Sequence, residues 1–94
     1  MVSYVVFSKY YKHSYHNIDC FADETFLRSY LRSYYNHNVD RNRRKQDESE
    51  LIDFGEMGVE QLCNFFVEFG SWILDEELGY GIVAIVEGSV VAAA

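Results

Sequence analysis

Apolar, β-branched and aromatic residues crowd into residues 3–11 and again into Tyr15 to Phe21, with the polar Lys12-His13-Ser14 between them. Two such runs around a polar interruption predict a β-hairpin. Asp23 then stands where a side-chain oxygen can cap a helix, and Glu24 suits the positive end of its dipole. Phe26, Leu27, Tyr30, Leu31, Tyr34 and Tyr35 follow at near-helical spacing, which predicts an apolar stripe with Arg28, Ser29, Arg32 and Ser33 opposite it, in a helix ending at about Asn36.

From Asn36 to Glu50 only Val39 is apolar, so this stretch is expected to be a mobile, solvated loop, most mobile over 38–49. Helical spacing returns at Val59, Leu62, Cys63, Phe66, Phe69 and Ile73, after a short apolar patch at Leu51, Ile52 and Phe54. A second helix is expected over at least 58–69. Gly70 is read as its left-handed cap, with continuation through Trp72 to Glu77 as the alternative. The run Tyr80 to Val86 is apolar at both parities, so it is expected inside a sheet, with Gly88-Ser89 turning it back into Val90-Val91. Two amphipathic helices flanked by β-rich runs predict an α+β fold: two helices packed on a small antiparallel sheet, in the order ββα, loop, αββ.

Size and composition narrow the class. Ninety-four residues suit one domain, 1–94, which buries roughly two-thirds of its unfolded surface. The apolar content is that of a globular protein, not an acidic disordered chain. Cys20 and Cys63 are too few to staple a secreted domain of this size, so reduced thiols and a cytoplasmic location are expected. The N-terminus has no secretory pattern, and Glu87 interrupts the most apolar segment, so no membrane association is expected.

Charge changes the picture most. Residues 1–45 carry all eight Lys and Arg with four acids, a balance of +4. Residues 46–94 carry eleven acids and no cation, −11, which together give the net −7. A helix surface ordinarily mixes signs, so uniform negative charge over half a domain points to a charged partner.

The remaining motifs read as structure. His13-x-x-His16, with Cys20 and His37, lacks the paired spacing of a zinc set. Cys63 lies on an apolar stripe and Cys20 beside Asp19, neither of which favours a thiolate, so no catalytic residue, metal or cofactor is expected and the chain is not read as an enzyme. Gly79-x-Gly81 lacks the helix N-terminus of a phosphate cradle and reads as a turn or a close backbone approach.

The sequence therefore predicts a small acidic protein-binding module that engages a basic protein surface through Glu60, Glu68, Asp75, Glu76, Glu77 and Glu87. Carboxylates spaced over a rigid fold can imitate phosphates, so the basic nucleic-acid groove of an enzyme is the expected surface. In size and charge the chain is similar to the small inhibitors that phages and mobile elements direct at host defence or transcription machinery; no motif ties it to a family. A self-associating structural or regulatory module with a bipolar surface is the alternative, possible as a homo-oligomer. Direct nucleic-acid binding by the N-terminal half, which holds seven of the eight tyrosines and every cation, is the third and less favoured reading.

Overall fold

A computed structural model describes residues 2–42 and 54–89. Strand β1, Val2–Tyr10, and strand β2, Asn17–Phe21, form the expected hairpin and lead into helix α1, Glu24–Asn42. A short 3₁₀ turn, Phe54–Glu56, precedes helix α2, Val59–Asp75, and strand β3, Tyr80–Ser89, closes the described chain. The sheet is antiparallel, in the order β2-β1-β3, and both helices lie on one of its faces. The fold is α+β, as predicted, with three strands among the described residues. Gly88 and Ser89, expected to turn, stay in β3 opposite Ser3 and Val2, while Val90 and Val91 fall outside the described residues.

The period-2 pattern of β1 sorts its side chains. Tyr4, Val6 and Ser8 are buried beneath the helices, whereas Ser3, Val5, Phe7 and Lys9 point to the other face. Strand β3 breaks that period: its register moves from Phe7 opposite Ala84 to Ser8 opposite Ile82, leaving Val83 as an extra residue. This bulge puts both Ile85 and Ile82 on the helix face although they are three residues apart. The apolar run at both parities thus reflects a bulge. The strand expected inside the sheet has only β1 beside it among the described residues, and β1 is central.

Helix α1 starts as predicted, with the Phe26 N–H donating to Asp23 Oδ1 at 3.1 Å. Its buried stripe is Leu27, Leu31, Tyr34, Tyr35 and Asn38, while Phe26, assigned to that stripe from the sequence, is 59% exposed. The helix continues to Asn42, six residues past the expected end. Asn38 lies on the buried stripe within this extension: its Nδ2 donates to the Tyr34 carbonyl at 2.8 Å, so a polar residue is buried there with its amide bonded inside the helix. The loop predicted over 36–50 is therefore helical to residue 42, and its remainder lies outside the described residues.

Gly70 does not cap α2, which runs on to Asp75. A methyl group at Gly70 would lie 2.5 Å from the Ile82 backbone nitrogen and closer still to its oxygen. Gly81 answers from the strand, where a methyl would lie 2.7 Å from Leu74 Cγ and closer to the Gly70 carbonyl oxygen. Two glycines thus bring helix and strand backbones together, and the close-approach reading of Gly81 holds. Around this contact Leu62, Phe66, Ile73 and Ile82 are fully buried. Tyr34, Tyr35, Phe54, Phe65 and Phe69 surround Phe66 with ring centroids 5.1–6.4 Å from it.

Two predictions come from this packing. In an exposed helix Gly→Ala would gain about 1 kcal/mol; here Gly70→Ala should lose about 3 kcal/mol, because its methyl meets strand backbone that cannot rotate away. Urea denaturation reads this, with Gly58→Ser as control: Gly58 has open space and supplies no side-chain cap, so serine there should be neutral or stabilising.

Burial holds the hydroxyl pKa values of Tyr4, Tyr30 and Tyr34 above the ordinary 10.0, aided by the Glu87 charge at Tyr4 and by the Tyr80 hydroxyl at Tyr30 and Tyr34. A raised folded pKa gives stability that is fully present below pH 10 and is lost as pH rises from there towards the folded value. Phenolate absorbance from Tyr4 and Tyr34, both buried, should therefore appear together with loss of far-UV circular dichroism. Their titration in a still-folded protein would contradict the packing described.

Candidate functional site: an acidic helix face

All six nominated carboxylates are exposed, and among the described residues none is in an ion pair. The fold divides them into two groups. Glu60 and Glu68 lie on the outward face of α2, two turns apart, and Asp75 continues that face at the helix end, followed by Glu76 and Glu77. Because β3 returns antiparallel beneath α2, Glu87 lies beside the first half of the helix, away from Asp75 to Glu77. Its charge, after burial, raises the Cys63 thiol pKa, and it faces Tyr4 directly across the strands. Glu68, Asp75, Glu76 and Glu77 form the denser group, and Glu60 and Glu87 belong to the other end.

Trp72 is the site residue that the sequence did not single out. It is 39% exposed, rests on Phe69 at 5.8 Å, and lies four residues after Glu68 and three and four before Asp75 and Glu76. Those spacings put acids on both sides of a partly exposed indole. A tryptophan with acids four residues before it and three and four after it is a readable signal once the helix is known to pass Gly70.

The C-terminus of α2 departs twice from what a helix end favours. Leu78 donates to the Ile73 carbonyl and Glu77 to that of Leu74, the bonding of a Schellman cap, with Glu77 at φ 59° where glycine is usual. Asp75, Glu76 and Glu77 also place three negative charges at the negative pole of the dipole, and no basic residue occupies the last turn.

The cations of α1 are differently employed. Arg28 pairs with Glu24 at 2.6 Å and donates to the carbonyls of Phe54 and Met57 at 2.8 and 2.9 Å, fastening α1 to the 3₁₀ turn. Arg32 lies over the Phe54 ring at 5.3 Å. Tyr34 and Tyr35 are core residues, with the Tyr34 hydroxyl donating to the Tyr80 carbonyl at 3.0 Å. A cleft of about 420 Å³ opens between the strands and Tyr30, lined by Ser8, Tyr10, Asn17, Ile18, Asp19 and Tyr80.

His13 is exposed in the hairpin turn between the Tyr10 and Tyr15 rings, and Cys20 is exposed on β2. Among the described residues no three His, Cys, Asp or Glu side chains are placed to hold a metal ion. None of the described helices is long and apolar enough to cross a membrane. No family model, curated protein or solved structure matches the chain.

Glu77→Gly should stabilise the fold by about 1 kcal/mol, by removing a non-glycine residue from the left-handed region and a charge from the helix's negative pole. Glu77→Gln removes the charge alone and should recover only a few tenths of that, roughly. Urea midpoints of the two variants separate the contributions. An unchanged Glu77→Gly would show that the positive φ carries no strain.

Proposed function

We propose that the protein is an acidic protein-binding module whose α2 face docks on a basic protein surface. The observation that carries the reading is the end of α2. A lysine and a glycine there would satisfy the dipole and the cap, yet the chain places Asp75, Glu76 and Glu77 beside a partly exposed Trp72. Local choices that work against stability are expected where a surface serves another purpose.

The chemistry favours arginine and lysine on the partner. Carboxylates accept bidentate bonds from guanidinium, and the Trp72 face offers a cation–π contact flanked by acids. A tryptophan anchor within a charged rim is a common composition for a binding hot spot. Helix α2 carries three acids, Glu60, Glu68 and Asp75, at intervals of about 12 and 10.5 Å, with Glu76 and Glu77 just past its end. Duplex DNA carries one charge per ~1.7 Å. The face therefore matches discrete basic side chains lining a groove better than a surface saturated by duplex. A nucleic-acid channel of an enzyme is such a groove, and occupying it would inhibit that enzyme by competition, as a phage or mobile-element inhibitor does.

After a partner has been captured from the host, surface plasmon resonance at two ionic strengths supplies the test. Reversing Asp75, Glu76 and Glu77 to Lys should slow association at least tenfold and flatten its salt dependence. Trp72→Ala should act mainly on dissociation. Neutralising Arg41, Arg43 and Arg44 should leave affinity unchanged or tighten it. Loss of binding in that last variant, with the acid-reversed protein still binding, would place the working surface in the N-terminal half.

A further inference from the structure

Both helices cover the same face of the sheet, and among the described residues nothing packs on the other. That open face is apolar. Val5 and Phe7 on β1 lie opposite Cys20 and Ile18 on β2 and opposite Val86 and Ala84 on β3, so the six form a continuous patch across three strands. Ile18 is 60% and Val86 49% exposed, and the only charge on this face of the three strands is Lys9, at one end. An uncharged apolar patch stands out on a molecule of net charge −7, and the largest such patch on a monomer is often functional.

We propose that this face pairs with the same face of a second copy, forming a two-fold dimer of stacked sheets with the helices outside. The patch is built around the central strand, so a two-fold axis over β1 brings Val5 and Phe7 of each copy against the partner's apolar residues, the self-complementary arrangement an isologous interface needs.

Charge selects a second copy as the occupant. Two molecules of net −7 repel in most orientations, but stacking through this face turns every carboxylate of α2 outward. Allowing about 10 Å per packed layer, the two α2 helices lie roughly 30 Å apart, more than three Debye lengths of ~8 Å at physiological salt. A basic partner, which the acidic helix face would attract, gains nothing from a patch without carboxylates.

Area sets the strength. Seven residues from Ser3 to Lys9 at ~3.4 Å and three strands at ~4.8 Å give a flat footprint of about 340 Å² per copy. That is under half of the ~800 Å² per partner in a standard interface, so the dimer should be weak and concentration-dependent, with Kd of about 1 µM or higher.

Light scattering coupled to size exclusion, over a dilution series of the full chain, tests this. The mass should rise from the 11.0 kDa of one chain towards twice that value with concentration, and added salt should not reverse the rise. Ile18→Glu with Val86→Glu should hold the protein at one chain mass while leaving its melting temperature nearly unchanged, since both side chains are largely exposed. Amide shifts that move on dilution should map to β1, β2 and β3, not to α2. A protein that stays monomeric to millimolar concentration would overturn the proposal. So would a dimer that survives the double substitution, or one that salt dissolves, which would identify a charge-driven contact elsewhere.

Discussion

The rest of the molecule is arranged around one close approach, the backbone of α2 at Gly70 against the backbone of β3 at Gly81 and Ile82. Helix and strand can come this near only if neither carries a side chain at the crossing, and both positions are glycine. The contact lets α2 run over β3 to Asp75 with Leu62 and Phe66 in the aromatic core and Ile73 buried further along. It also determines where the helix ends and so which residues stand at its tip. Had Gly70 been a cap, Trp72 and Asp75 would belong to a connecting loop. Because it is a contact, they stand on a rigid helix.

The same crossing divides the protein into two unlike outer surfaces. With both helices on one side of three strands, the helix layer receives the carboxylates and the bare sheet face receives Val5, Phe7, Ile18 and Val86. A three-stranded sheet with one covered face ordinarily alternates apolar inward and polar outward. Strand β1 does not, since Tyr4, Val5, Val6 and Phe7 are apolar at both parities. That departure, like the acids at the negative end of α2, is local chemistry that the fold itself does not require.

The parts of the fold that were legible in the sequence were set by neighbours within a few residues. The hairpin follows from two β-rich runs around a polar turn, and Asp23 caps α1 through an oxygen three residues from its donor. The six carboxylates were identifiable as surface because nothing nearby answers them. Gly70 was not legible, since a glycine at the end of an apolar stripe supports either a cap or a contact, and what decides lies eleven and twelve residues further on. Asn38 reads as loop until its amide is seen to bond within the helix. The bulge at Val83 makes a strand with one buried side look buried on both, and the alternation in β1 that marks the open face was obscured because every residue there is a good strand former.

The two surfaces make separate demands that do not conflict. An acidic face works through long-range attraction and fast encounter, so it suits a partner of opposite sign and weakens with salt. An apolar sheet face has no reach and no sign preference; it acts only at contact, and it tolerates a like-charged neighbour provided the charges point away. In a two-layer fold these requirements are met on opposite sides, so pairing through the sheet would leave both copies of α2 outward and accessible. A dimer built in this way would present a basic partner with two acidic helix faces on one particle. Because those two faces point in opposite directions, one flat basic surface would meet only one of them, and a gain through effective concentration would need a partner that reaches around the particle.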